Sequence, residues 1–214
     1  MNVVAIVTVA HHASDGELAL TPVHGEALLT HTVRGLLDVP EIDLVLVAAP
    51  QRCASSFSEA VGGLEKHDLE KRVLGCQVVP GSPRQALAAV EPDLSLDSVV
   101  LLHDALRAFI PAATVREVIN AVGDASVVVP VLPMADTVKV TDASLIVGTE
   151  DRSRLRTAQT PIGYTLEAFR SAEPWDVTGA AIVAGHPDAM RVTTDFELSL
   201  AEAIAAAPKN EETL

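Results

Sequence analysis

Ser98-Val99-Val100-Leu101-Leu102-His103-Asp104 is the stretch on which the reading of this chain turns. Four apolar residues in a row leave no polar face, which suits a strand buried on both sides, here over 98–102. The run then stops on an imidazole and a carboxylate, where solvent or a ligand can meet them. Similar runs recur at 3–9, 43–48, 73–79 and 126–131. Between them lie helical patterns at about 27–38, 54–65, 83–90 and 112–122, and Leu29, Val33, Leu36 and Leu37 share one face of the first. Strand and helix in strict alternation predict an α/β domain with an open, doubly wound, mostly parallel sheet and right-handed crossovers. Such sheets bind ligands beyond the carboxyl ends of their strands, which puts Asp104 at a candidate site.

The alternation breaks at 133–160. Thr137-Val138-Lys139-Val140 and Leu145-Ile146-Val147 flank Thr141-Asp142-Ala143-Ser144, a pattern for a hairpin that projects as an arm. Two strands cannot bury both faces alone, so the arm needs a surface to lean on, and a second subunit is one candidate. A helix near 165–172, a strand near 180–184 and a last helix over about 195–206 follow, with Asp195 placed to cap the last. No repeat or linker divides residues 1–214, so one domain with an arm at about 133–160 is expected.

Composition narrows the function classes. The chain has 214 residues, 49% of them hydrophobic and only 3% aromatic, enough apolar mass for a core built from Ala, Val and Leu. Its 15 basic and 29 acidic residues give a net charge of −14, which disfavours nucleic acid and anionic membranes as partners. A small phosphorylated ligand needs locally gathered cations, so each Arg and Lys matters. Cys53 and Cys76 lack metal-ligand spacing, and Met1 leads directly into Val3-Val4-Ala5-Ile6-Val7 with no leader pattern, so a cytoplasmic protein with reduced thiols is expected.

Four segments, in order, carry a resemblance. They are Leu101-Leu102-His103-Asp104-Ala105-Leu106-Arg107-Ala108-Phe109, Pro130 to Lys139 with Asp136-Thr137-Val138-Lys139 at its end, Asp151-Arg152 to Gln159-Thr160-Pro161, and Arg191-Val192-Thr193 to Leu200-Ala201-Glu202. Gly81-Ser82-Pro83-Arg84-Gln85 adds a fifth, shorter echo. Together the chain resembles the 2-C-methyl-D-erythritol 4-phosphate cytidylyltransferases over most of its length from about residue 81. The resemblance implies a nucleotide-diphospho-sugar transferase type of fold and a homodimer. The implied reaction joins methylerythritol phosphate to CTP with loss of pyrophosphate, in the presence of Mg²⁺, for isoprenoid precursors. It also implies Asp104 as the Mg²⁺ ligand, with Arg107 fixing its loop. Arg191 stands at the position of a family Lys that meets the reacting phosphates. Thr137 and Arg152 would reach the methylerythritol phosphate from the partner's arm, with Thr160 nearby, and Arg84 would serve the nucleotide end or its helix N-terminus.

One region departs from the pattern. The family reads Ala-Ala-Gly-x-Gly-x-Arg after its first strand, then Pro-Lys, so that backbone N–H groups and two cations surround the triphosphate. Here the stretch is Val9-Ala10-His11-His12-Ala13-Ser14-Asp15-Gly16-Glu17-Leu18, with one glycine, and no Arg or Lys precedes Arg34. Asp15 and Glu17 add negative charge where a triphosphate belongs. His11 and His12 could supply charge only when protonated, and adjacent histidines point apart, so a metal site there is disfavoured. Ala86-Leu87 also stands where the family has Ser-Val and Ile162 where it has Gln, and only Asp176-Val177-Thr178-Gly179 lies where the family's Thr-Asp-(Asp/Glu)-Ala stretch is expected. Two readings stay open: a cytidylyltransferase weakened or inactivated at its nucleotide end, and a non-catalytic homologue that binds a phosphorylated ligand or a partner protein.

Overall fold

A computed structural model describes residues 2–9, 15–64, 66–67, 73–74, 76–171, 173 and 175–207. His11 and His12 lie outside these residues. The elements run β1 Val3–Thr8, α1 Asp15–Leu18, β2 Pro22–Val23, β3 Glu26–Ala27, α2 Leu28–Leu37, β4 Leu44–Ala49 and α3 Ala54–Val61. Next come β5 Lys66–His67, β6 Val73–Leu74, β7 Cys76–Pro80, α4 Pro83–Ala88, β8 Val99–Asp104, α5 Ala112–Ala121 and β9 Val127–Pro133. The hairpin β10 Lys139–Asp142 and β11 Leu145–Thr149 follows, then β12 Arg156–Ala158, β13 Ile162–Thr165, α6 Leu166–Ser171, β14 Ala181–Ala184 and α7 Asp195–Ala206.

The main sheet has the order β7-β4-β1-β8-β13-β9, with β12 running on beside β9 and β14 on the far side of β9. The pairs β1–β4, β1–β8, β4–β7 and β9–β14 are parallel; β12 and β13 are antiparallel to their neighbours. The chain winds outward from β1 to β4 and β7, then returns across β1 to β8. The strand order therefore reverses between β1 and β8, the crevice position at which doubly wound sheets hold ligands. Thr8 and Asp104, the last residues of those two strands, are direct partners in the register.

The runs of β1, β4 and β8 are buried on both faces, as expected, whereas β7 at the sheet edge is not: Cys76, Val78 and Val79 are only half-buried and Gln77 is exposed. In β1, Val3, Ala5 and Val7 face one layer while Val4 and Ile6 face the other. The first layer is built with α2, α3, α5 and α7, the second with α4 and α6. Gly163 of β13 lets α5 approach closely: a Cβ there would meet Val118 Cγ1 and Val122 Cγ2, each at 2.7 Å.

Several expectations shift in detail. Only Cys76–Pro80 of the run at 73–79 enters the main sheet; Val73–Leu74 pair with Lys66–His67 instead. The helix expected over 54–65 ends at Val61, because Gly62 leaves the helical region and Gly63 turns with φ +84°. α7 is capped by Thr194, not Asp195. Thr194 is extended and accepts from the Glu197 N–H at 3.3 Å, while Glu197 Oε2 accepts from the Thr194 N–H at 2.9 Å. Asp195 is the first helical residue. Between 133 and 160, β9 reaches Pro133 and β12 starts at Arg156, so both ends of the segment belong to the sheet. What projects is the hairpin, whose Leu145, Ile146 and Val147 are 70%, 68% and 60% exposed. Among the described residues no helix is long and apolar enough to cross a membrane.

Candidate active site

The switch point places β8's last residue in a polar cluster. Asp104 is 2% exposed. Its Oδ1 accepts from the Leu106 N–H at 3.0 Å, which shapes the turn that follows, and its Oδ2 accepts from Arg191 Nε at 2.6 Å. Behind it runs a buried relay. The Asp104 N–H donates to Thr160 Oγ1 at 3.1 Å, Thr160 lies 3.0 Å from His103 Nδ1, and His103 Nε2 lies 3.0 Å from the Arg107 carbonyl. A carbonyl can only accept, so the His103 proton is on Nε2, and Nδ1 accepts from the Thr160 hydroxyl. Burial pushes the His103 pKa down to about 4, against the raising effects of the Arg107 carbonyl and Asp104. The ring is therefore neutral near pH 7 and acts as a fixed strut. Thr160 commits its proton to His103, so it orients Asp104 and cannot donate that proton to a ligand.

Two guanidinium groups face the carboxylate. Arg107 Nη1 donates to the Ala189 carbonyl at 2.7 Å, which ties β8's loop to the 186–190 turn. Burial lowers its pKa from the ordinary value, partly offset by the charge of Asp104. Arg191 spans Asp104 and Asp15: Nη2 donates to Asp15 Oδ2, again at 2.6 Å. Burial opposes its charge, but the hydrogen bond and charge of Asp104, joined by those of Asp15, outweigh it, and the Arg191 pKa is raised. Gln159 holds this corner together. Its Nε2 donates to the His186 carbonyl at 2.8 Å and its Oε1 accepts from the His186 N–H at 2.9 Å.

Asp104, Arg107, Gln159, Thr160 and Ile162 line a cavity of about 150 Å³ together with Trp175, the chain's one tryptophan. A larger cavity of about 710 Å³ lies between α2, the 108–113 turn, α5 and the end of α7. Its arginines are committed to carboxylates, Arg34 to Glu26 and Arg116 to Glu41, and it lacks Asp104. The smaller cavity is the one at the switch point, with Asp104 and Arg107 in its wall.

The expected site residues thus fall into three places. Asp104, Arg107, Thr160 and Arg191 come together. Thr137 and Arg152 lie at the root of the hairpin; both are exposed, and Arg152 Nη1 donates to the Ala135 carbonyl. Arg84 is also apart: from the first turn of α4 it donates to the Arg170 carbonyl of α6 at 2.6 Å. Four contributors were not among the expected site residues. His103 was visible only as the neighbour of Asp104, Gln159 only as part of a motif, and Asp15 only as surplus negative charge. Trp175, isolated in a polar loop, carried no periodic signal.

A doubly wound sheet with a buried carboxylate and two arginines at its switch point places the chain among the α/β domains that hold ligands at the carboxyl ends of their strands. Known relatives narrow that class. The family described as 2-C-methyl-D-erythritol 4-phosphate cytidylyltransferase matches residues 10–207. The chain is 40% identical to the protein of that name from Saccharopolyspora erythraea, over 96% of this chain and 100% of the relative. The namesake from Streptomyces avermitilis is 35% identical over 88% and 84%. The crystal structure of the Thermus thermophilus enzyme so named superposes with a TM-score of 0.69 at 26% identity, covering 97% of this chain and 100% of that one. A structure titled 4-diphosphocytidyl-2C-methyl-D-erythritol synthase has the same fold, with a TM-score of 0.74 at 16% identity over 95% and 98%. The chain belongs to the 2-C-methyl-D-erythritol 4-phosphate cytidylyltransferase family.

Proposed function

We propose that this protein transfers CMP from CTP to 2-C-methyl-D-erythritol 4-phosphate, releasing pyrophosphate, and that it does so slowly because its nucleotide end is weak. The observation that carries this reading is the convergence of Asp104, Arg107 and Arg191 at the switch point. In-line phosphoryl transfer asks a protein mainly for positioning and for charge aimed at the reacting oxygens. Arg191 offers a fork of N–H donors from the carboxyl end of the sheet, and Arg107 braces the loop behind it. The relay through Thr160 and His103 keeps Asp104 in place without adding charge.

Mg²⁺ fits this donor set. It is held through one or two carboxylates together with substrate phosphates, and Asp104 supplies a hard oxygen at the strand end. Bound there, Mg²⁺ would offset the charge of the phosphates.

The reading of a slow enzyme follows from the stretch after β1. A lost cation–phosphate contact costs about 2.7–4 kcal/mol in a transition state, so two lost contacts correspond to about 10⁴-fold or more in rate. Thr137 and Arg152 are assigned to the methylerythritol phosphate of the partner's site, because each sits at the root of the exposed hairpin. The protein is then a homodimer with the arm of each protomer against its partner. Arg84, engaged by Arg170, is assigned to seating α4 on α6. Mass spectrometry of a reaction with CTP, methylerythritol phosphate and Mg²⁺ tests the activity. The cytidine diphosphate conjugate of methylerythritol is expected, with a Michaelis constant for CTP in the millimolar range. Absence of the conjugate overturns the proposal, and a micromolar constant overturns the weak nucleotide end.

A further inference from the structure

Arg191, the cation assigned to the reacting phosphates, is already gripping two oxygens. Its Nε and Nη2 point from the same edge of the guanidinium, and each holds a carboxylate oxygen at 2.6 Å. That edge is one of the two with which an arginine takes two oxygens of a phosphate. One of the oxygens belongs to Asp104, which the reaction needs. The other belongs to Asp15, which the reaction does not need.

Asp15 is 1% exposed and opens the short turn α1, in the segment that follows β1. It reaches Arg191 across 176 residues of sequence. Taking a carboxylate out of water is costly unless a cation compensates it, and Arg191 is a cation that compensates Asp15 at this depth. In turn, two of the five N–H donors of Arg191 are held by carboxylates fixed in the protein before any ligand arrives. A ligand phosphate that takes this edge displaces Asp15 from Nη2.

We propose that Asp15 is an internal competitor for the phosphate position of Arg191, a positioning residue that parks the guanidinium and sets the affinity of the site for phosphorylated ligands. The proposal rests on the assignment of Arg191 to substrate phosphates. It assigns to the segment after β1 a role beyond missing cations: that segment supplies a resident anion in the place of the ligand's.

Inorganic pyrophosphate is the probe, titrated by calorimetry into the full-length protein at fixed ionic strength. Asp15→Asn removes the charge and keeps the shape, and it is expected to tighten pyrophosphate binding by about 10-fold or more, about 1.4 kcal/mol. Asp15→Glu, which restores the charge, returns the affinity toward wild type. In the Asp15→Asn, Arg191→Met double variant the gain disappears. Unchanged or weaker binding to folded Asp15→Asn overturns the proposal, as does a gain that survives loss of Arg191 or an absence of binding to every variant. The wild-type protein gives a second test that needs no variant. The Arg191 Nε–H resonance shifts as pyrophosphate is added, and a resonance that stays fixed at saturation overturns the proposal. Cytidylyl transfer that fails while these effects appear sinks the functional reading alone; transfer that succeeds without them sinks this inference alone.

Discussion

His103 is fully buried with a pKa of about 4, against 6.5 for the ordinary imidazole, and burial is the main cause. Between those two values the unfolded chain binds a proton that the folded chain refuses. Stability therefore rises with pH across this window: the contribution is present above about 6.5 and is lost as pH falls toward about 4. At about 1.36 kcal/mol per pH unit the whole window is worth about 3 kcal/mol, and the step from pH 7 to pH 5 about 2 kcal/mol. In the folded chain Nδ1 is protonated only as pH falls through about 4, and there the acceptor for the Thr160 hydroxyl, and with it the support behind Asp104, is lost. Urea unfolding at pH 7 and pH 5, for wild type and His103→Asn, isolates the term from carboxylates that titrate lower. The variant is expected to be less stable at pH 7 but to lose about 2 kcal/mol less than wild type on going to pH 5. Equal losses in the two proteins would refute the buried, neutral relay.

Gly163→Ala places a methyl group against Val118 and Val122 at 2.7 Å, and overpacking of this kind costs about 1–3 kcal/mol, read as a fall in the thermal midpoint. Leu145→Ser with Ile146→Ser removes the apolar tip of the hairpin. Light scattering on the eluting species should show the wild-type dimer become a monomer, and a wild type that is already monomeric contradicts the arm's assigned role. Arg191→Met removes the fork at the reacting phosphates. It is expected to lower kcat/KM by about 10²–10³-fold, and to lower the folding midpoint as well, because the buried Asp15 and Asp104 both lose a compensating cation.

The parts of the fold legible from sequence were those written in local pattern. The consecutive apolar residues of β1, β4 and β8 and the 3.6-residue period of α2 announce buried strands and a covering helix without reference to anything distant. β12 and β13 did not announce themselves. Arg156-Thr157-Ala158 alternates weakly and Ile162-Gly163-Tyr164 is broken by a glycine; these strands are set by insertion between β8 and β9 and by pairing beside β9, long-range events with little local trace. The site divides in the same way. Asp104 was legible because a strand ends on it, and Thr160 and Arg191 because they stand in motif positions. Asp15 was legible as charge but not as a partner. Its pairing with Arg191 is made by the return of the chain after β14, and no spacing along the sequence encodes it. The capping of α7 shows a smaller case: Asp195 has the right chemistry, yet Thr194 caps because it has the extended backbone and stands three residues before Glu197.

At the centre of the proposed reaction, Asp104 and Arg191 meet substrate phosphates at the switch point between β1 and β8. Pyrophosphate release from CTP, dependent on methylerythritol phosphate and Mg²⁺, compared between wild type and Asp104→Ala, tests this most directly. A slow wild-type rate that falls by about 10²-fold or more in the variant is the predicted result. Equal rates in the two proteins, or no acceptor-dependent release from wild type, would contradict it.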